Sequence, residues 1–319
     1  MGKDAVPDLI LKLQESHFYV RVSAAETLGN IGKDAKDAVP ALILALQDNV
    51  GGVRVSAAEA LGNIGSIDTK DAIFALILAL QDNVKGVRAS AAKALRNIGK
   101  DAKDAIPALI LALQDKVGNV RGSVAEALGS IGEGSEDVVP ALIQTLKDPD
   151  SHVRHSVAEA LGQIRSKDAV PALTQALQDK AVFVRISVIE SLKQIGTSEA
   201  LKSVKKYQES LIQALQNSSP EVRADAAEAL GQTGSADAVP ALTIALQSID
   251  ARFNRPSNNN NIWMAIRGGN IEAVKQHLAN GVDANVMSPD GGTPLGWAAL
   301  LGQYEVAELL IQKGADVNV

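Results

Sequence analysis

Asp48-Asn49-Val50-Gly51-Gly52-Val53-Arg54-Val55-Ser56-Ala57-Ala58-Glu59-Ala60-Leu61-Gly62-Asn63-Ile64-Gly65 is one copy of a stretch that this chain repeats along most of its length. Its fixed point is the arginine, which returns at Arg21, Arg54, Arg88, Arg121, Arg154, Arg185 and Arg223, at spacings of 33, 34, 33, 33, 31 and 38 residues. A period in this range marks a solenoid, whose units pack only on their neighbours and whose product is an extended surface. Val53, Ala57, Leu61 and Ile64 share one helical face, and Gly65 stands where glycine ends helices. Upstream, Val39, Leu42, Ile43 and Leu46 follow i, i+3, i+4, i+7 and predict a first helix. Asp37 is placed to cap it, and Pro40 sits in its first turn, where a missing N–H does no harm. Gln47-Asp48-Asn49 and Gly51-Gly52 break the pattern into a turn. The unit is a helical hairpin, and the fold class is all-α, an α–α superhelix.

The same frame runs through Asp4-Ala5-Val6-Pro7, Asp71-Ala72-Ile73-Phe74, Asp104-Ala105-Ile106-Pro107, Asp137-Val138-Val139-Pro140, Asp168-Ala169-Val170-Pro171 and Asp237-Ala238-Val239-Pro240. One unit departs. After Gly196 the segment from Thr197 to Gln208 is longer, carries Lys202, Lys205 and Lys206, and puts Glu209 where the proline belongs. It predicts an extended or additional helical piece and a local break in regular stacking.

The Val-Pro-Ala-Leu first helix and the Val-Arg-x-x-Ala-Ala-x-Ala-Leu-Gly second helix resemble HEAT repeats of the phycobilisome-lyase-like type. The resemblance covers roughly residues 1–250, as seven full units and the first helix of an eighth. It implies a curved stack whose concave face and turns hold a partner. It also implies that the recurring Asp and Arg form a structural ladder, the Arg of one unit bonding turn groups of its neighbour: Asp48 and Arg54, Asp82 and Arg88, Asp115 and Arg121, Asp148 and Arg154, Asp179 and Arg185. A bidentate guanidinium suits that work, and an anion-binding row is the functional counter-reading.

Residues 251–261 lose the periodicity and read as a flexible linker. Beyond it, two stretches align at an offset of 33, with Ile262-Trp263-Met264-Ala265 facing Leu295-Gly296-Trp297-Ala298. Gly281-Val282-Asp283-Ala284-Asn285 likewise faces Gly314-Ala315-Asp316-Val317-Asn318. With Thr293-Pro294-Leu295, residues 262–319 resemble about two ankyrin repeats, helix pairs with a protruding finger. Gly296 departs from the family, standing where a histidine follows Thr-Pro-Leu. About three repeats are the norm for independent stability. The expectation is therefore an incomplete segment that leans on the first part or belongs to a longer parent.

Composition bounds the function. The net charge is −6, aromatics make up 3% and cysteine is absent. An acidic chain lacks the basic footprint of a nucleic-acid binder. Without cysteine there is no thiolate catalysis, disulfide or Cys-ligated zinc. The longest strongly apolar run, Ala72 to Leu80, is too short to cross a membrane. The reading is a soluble cytoplasmic protein with neither nucleic acid nor membrane as partner.

Five residues after each Arg stand Glu26, Glu59, Lys93, Glu126, Glu159, Glu190 and Glu228. Each shares an exposed helix face with positions of the Ser56 and Asn63 type. This column reads either as an acidic ridge for a basic partner or as a solvated face. Bulk in two turns marks Phe18 and Tyr19, and Phe183, as contact anchors or as packing plugs. His152, His155 and Glu159 lie at i, i+3 and i+7, a metal-ligand spacing that recurs in no other unit and reads as chance. Helical-repeat deoxyhypusine hydroxylases hold two irons through His-Glu dipeptides, which this chain lacks. Gly129, Gly132 and Gly134 lack the strand-loop-helix setting of a phosphate loop.

No nucleophile, base and orienter come together, so the leading expectation is a non-enzymatic protein–protein interaction scaffold without catalytic residue, metal or cofactor. The alternative implied by the resemblance is a bilin lyase-like, pigment-handling protein acting on phycobiliproteins. A third is a regulatory region of a larger signalling protein.

Overall fold

The computed structural model describes residues 2–65, 70–217, 219–232, 261–288 and 292–317. Among these there is no strand, and the chain forms two compact units, Met1–Ser235 and Ala236–Val319.

The first unit is a file of helical hairpins. First helices α1 (Val6–Lys12), α3 (Val39–Ala45), α5 (Lys70–Ala79), α7 (Ile106–Ala112), α9 (Val138–Thr145) and α11 (Val170–Ala176) alternate with longer second helices. These are α2 (Phe18–Ile31), α4 (Gly51–Ile64), α6 (Lys85–Ile98), α8 (Gly118–Ile131), α10 (Ser151–Ile164) and α12 (Val182–Ile195). The seventh hairpin is α13 (Ser198–Ala214) with α14 (Pro220–Gln232). Proline occupies the first turn of α1, α3, α7 and α11, where its fixed φ suits a helix start. Asp37 is not the cap expected of it. It lies within a 3₁₀ segment, Gly32–Ala38, and α3 begins from Ala38 with no side-chain cap. A continuous turn of 3₁₀ leads into α3, so its first N–H groups are not left waiting for a side chain. Gly32, Gly65 and Gly99 end their second helices with φ of 66°, 76° and 75°, which a Cβ would strain.

Each of the first six hairpins contributes a leucine from both of its helices to the interior. Leu42 with Leu61, Leu76 with Leu95, Leu109 with Leu128 and Leu142 with Leu161 are all fully buried. Burying one such side chain favours the folded state by about 1.5–3 kcal/mol. Successive second helices approach so closely that small residues line the seams. A Cβ on Gly62 would come within 2.6 Å of Ala94 Cα, and one on Gly129 within 2.7 Å of Ala160 Cα. This explains why Ala58 and Ala60 are buried beside the expected Val53, Ala57, Leu61 and Ile64. A second helix is covered by its own first helix and by both neighbouring second helices.

The irregular segment is a single first helix. Thr197 caps α13, its hydroxyl accepting from the Ala200 N–H at 3.2 Å, and the helix then runs 17 residues. Ala200, Val204 and Tyr207 face inward.

The second unit is built from α15 (Asn261–Arg267), α16 (Ile271–Ala279), α17 (Pro294–Leu300) and α18 (Tyr304–Gln312). Ile262, Ile266, Val274, Ala298, Val306 and Leu310 form its core. Thr293 caps α17 by accepting from the Gly296 N–H at 3.1 Å, so Gly296 lies in the first turn, where its freedom costs least. The two fingers are tied by Asn285, which donates to the Gly314 carbonyl at 3.0 Å and accepts from the Asp316 N–H at 2.7 Å. Residues 251–260 of the expected linker lie outside the described residues, as does Asp237-Ala238-Val239-Pro240, the start of the expected eighth unit.

Candidate functional site

The seams between hairpins carry a ladder of ion pairs, and its register follows from the turns. The Asp of each of these turns directs its Oδ1 back onto the chain two residues on. The Val50 N–H donates to Asp48 at 2.8 Å, and the same bond recurs at Asp82, Asp115, Asp148 and Asp179. The carboxylate so fixed receives the arginine of the preceding hairpin, not its own. Arg21 donates through Nε and Nη2 to Asp48 at 2.7 and 2.9 Å, and Arg54 to Asp82 at 2.7 and 2.8 Å. Arg88 reaches Asp115 at 2.5 and 2.9 Å, Arg121 reaches Asp148 at 2.6 and 2.7 Å, and Arg154 reaches Asp179 at 2.6 and 2.8 Å. The third nitrogen, Nη1, serves the arginine's own turn. Arg54 donates to the Asp48 carbonyl at 2.8 Å, and Arg88 to the Asp82 carbonyl at 2.8 Å.

Both partners are mostly buried, which sharpens the electrostatics. Burial alone raises the pKa of the carboxyls of Asp48, Asp82, Asp115, Asp148 and Asp179. The arginine hydrogen bonds, the turn N–H and the nearby positive charge outweigh it and hold all five below the usual range. The facing guanidiniums are pushed up by the same hydrogen bonds.

The sixth seam differs. Position 217 is Asn, so Arg185 keeps its bond to the Asp179 carbonyl at 2.8 Å while its buried Nε has no acceptor among the described residues. Tyr207 of the long α13 stands beside it. Burial lifts the phenol's pKa, and the charge and hydrogen bond of Arg185 pull it partway back. A neutral hydroxyl replaces a carboxylate here.

The outward face of the second helices carries the column read from the sequence. Glu26, Glu59, Lys93, Glu159 and Glu190 are exposed and Glu126 is half-buried; the side chain of Glu228 lies outside the described residues. Three carboxylates have basic neighbours: Glu126 pairs with Arg96, Glu159 lies 3.6 Å from His155 Nε2, and Glu190 pairs with Lys193 at 3.1 Å. Ser23 of the first unit is exposed, but from the second unit on the Ser56-type positions do not share this open face. Ser56, Ser90, Ser123, Ser156 and Ser187 are buried in the seams, because a residue three before the glutamate points toward the neighbouring helix. Ser90 Oγ reaches across to Glu59 at 3.0 Å. The Asn63-type positions are open. Asn30, Asn63, Asn97, Gln163 and Gln194 expose carboxamides that make no side-chain hydrogen bond among the described residues.

The bulky turns divide into two settings. His17, Phe18 and Tyr19 stack on one another, with the Phe18 and Tyr19 centroids 4.0 Å apart and Tyr19 exposed. Phe183 lies between His152 and His155 of the preceding second helix, with centroids 5.3 and 5.8 Å away. His155 Nδ1 is hydrogen-bonded to Ser187 Oγ at 2.5 Å. A depression of about 350 Å³ opens there, lined by His155, Glu159, Gln163, Phe183, Ile186 and Glu190. The proximity of Phe183 to the two histidines escaped the sequence reading. Its signal was the offset of 31 and 28 residues from His152 and His155 to Phe183, close to one repeat.

A family model for HEAT repeats matches residues 6–96, 73–161 and 139–210, most of the chain. The chain belongs to the HEAT-repeat family. A model for ankyrin repeats matches residues 225–319, so the HEAT units are followed by ankyrin repeats. Among curated proteins, the chain is 32% identical over 59 residues to the ankyrin repeat-containing protein P1E11.10 of Schizosaccharomyces pombe, across 18% of this chain and 28% of that one. It is 42% identical over 55 residues to myotrophin of Xenopus tropicalis, across 17% of this chain and 46% of that one. The chain thus spans less than half the length of either relative. Among solved structures, YibA of Escherichia coli is similar at 27% identity and a TM-score of 0.51, covering 76% of this chain and 86% of that one. The CpcE–CpcF complex of phycocyanin lyase from Nostoc sp. PCC7120 is similar at 26% identity and a TM-score of 0.47, covering 72% and 94%. HEAT and ankyrin arrays together make a repeat scaffold for protein interaction. Among the described residues no helix is long and apolar enough to cross a membrane.

Proposed function

We propose that the HEAT units form a non-enzymatic scaffold that holds a basic segment of another protein along the second-helix face. The observation that carries this reading is the pairing of two exposed columns. Carboxylates at Glu26, Glu59, Glu159 and Glu190 stand beside carboxamides at Asn30, Asn63, Asn97, Gln163 and Gln194. Carboxylates take lysine and arginine side chains; open carboxamides both donate to and accept from a peptide backbone. Lys93 and Arg96 interrupt the acidic column in the third unit, which sets where a basic segment is tolerated. Phe183, in its depression, supplies an apolar anchor at one end of the column.

The test is a fluorescence titration with a labelled Lys/Arg-rich peptide. Changing Glu26, Glu59 and Glu159 together to Gln weakens binding by about 5- to 30-fold, because each exposed pair contributes up to ~1 kcal/mol. Binding also falls as salt is raised. Equal affinity for the triple variant and the parent would sink the reading, as would turnover of a substrate by the purified protein. A visible absorption band that shifts on adding phycocyanobilin would favour pigment handling instead.

A further inference from the structure

The first helices carry a row of side chains that the second-helix face does not use. Leu11, Leu44, Leu78 and Leu111 occupy the same register in the first four hairpins and are 67%, 67%, 55% and 75% exposed. The same register holds Gln144, Gln175 and Gln213 in the next three hairpins. Glutamine therefore satisfies the fold at this position, and an exposed leucine there gains nothing from folding. The apolar choice, made four times in succession, points to something outside the hairpin.

The neighbours of this row extend it into a face. Each leucine follows, one helical turn earlier, an exposed Pro7, Pro40, Phe74 or Pro107. One turn earlier still stands a Lys-Asp pair: Lys3-Asp4, Lys36-Asp37, Lys70-Asp71 and Lys103-Asp104, all exposed. The fifth hairpin, where the leucine becomes Gln144, also loses this pair and has Glu136-Asp137. The apolar row and the unbroken run of balanced pairs thus end at the same hairpin, although a single pair, Lys167-Asp168, returns in the sixth. Between α5 and α7 the face is indented by a depression of about 600 Å³, lined by Ile77, Ala108, Leu111 and Ala112 together with turn residues.

We propose that this face joins two copies of the chain about a two-fold axis, through the first helices of hairpins one to four. Three features select a second copy as the occupant. The edge holds lysine and aspartate in equal number, so it is complementary to itself when turned over, whereas a single-signed partner meets as much repulsion as attraction. The leucines recur at the helix-packing distance of about 10 Å, and another copy carries the same period, so its leucines fall between these along the whole row. The extent also suffices. Four hairpins at about 10 Å each, and some 20 Å across the exposed columns, give ~800 Å² per copy, the size of a standard interface.

Sedimentation equilibrium of the full chain tests this. The parent protein is expected to be dimeric at tens of micromolar. L44Q/L78Q/L111Q, which installs the residue that hairpins five to seven already bear, is expected to weaken association by at least about 100-fold with unchanged helicity, and with unchanged melting at dilutions where both proteins are monomeric. A second arm changes Asp4, Asp37, Asp71 and Asp104 to Lys. That single-signed edge no longer self-associates, but pairs when mixed with the protein whose Lys3, Lys36, Lys70 and Lys103 are changed to Asp. A parent that stays monomeric at hundreds of micromolar overturns the proposal. So does a triple-glutamine variant that dimerises as tightly as the parent, or an all-lysine edge that still does.

Discussion

Asp115→Asn isolates one rung of the ladder with the smallest possible change of shape. The turn bond from the Val117 N–H to Oδ1 survives, because an amide oxygen accepts it equally well. What is lost is the negative charge facing Arg88, with the bidentate contact at 2.5 and 2.9 Å. The Arg88 and Asp115 side chains are only 7% and 11% exposed, so water replaces little of the loss. Opposite charges about 4 Å apart attract by roughly 4 kcal/mol at the effective dielectric near a protein surface. The parent carboxylate's desolvation, and one neutral hydrogen bond kept by the amide, offset part of that. The net cost is about 2–3 kcal/mol. Native-state hydrogen exchange is the appropriate assay, since repeat arrays open seam by seam and a single melting temperature averages over them. Amides of α5 to α8 exchange about 30- to 150-fold faster in the variant at pH 7. The sign with pH is determined too. The Asp115 carboxyl is held below its ordinary range, so its contribution is present above the unfolded-state pKa of about 4 and vanishes as pH falls through the folded value. The two proteins converge in acid. Equal exchange at pH 7, or a gap that persists undiminished below pH 3, refutes the rung as the cause.

The reciprocal change, Asn217→Asp, offers Arg185 the acceptor that its Nε lacks; protection in α13 and α14 rises about 5- to 30-fold, and the gain is absent when Arg185 is also changed to Gln. Gly62→Ala sets two effects against each other. Alanine favours a helix by up to ~1 kcal/mol, but its Cβ would lie 2.6 Å from Ala94 Cα, and overpacking of about 1–3 kcal/mol wins. Urea unfolding therefore shifts to lower concentration, and an unchanged or raised midpoint would show that the seam yields.

The helices were legible in the sequence because apolar spacing and glycine punctuation are local. Val39, Leu42 and Leu46 and the glycines at 65 and 99 needed no tertiary knowledge. The capping role assigned to Asp37 failed because the preceding residues continue as a 3₁₀ turn, which depends on how one hairpin hands over to the next. The resemblance already implied that each ladder arginine bonds its neighbour's turn, as it does; which neighbour depends on stacking, and the turn aims Asp48 at Arg21. Ser56 appeared exposed for the same reason: a helical wheel shows direction but not the neighbouring helix. Two features could have been found earlier. Position 217 breaks the run of aspartates, and Leu44 falls off the apolar stripe of its own helix yet is apolar in four successive units.

The chemistry of the first five seams is closed: an arginine spans from its own turn's carbonyl to the next turn's carboxylate. Cutting out the 33 residues from Arg88 to Val120 would bring Arg121 to the place of Arg88, with the Asp82 carbonyl behind it and Asp148 ahead. No charge would be stranded by the excision, and none by its reverse. Such a gene can lengthen or shorten by whole cassettes and return a folded product each time, while a break within a cassette would orphan a guanidinium.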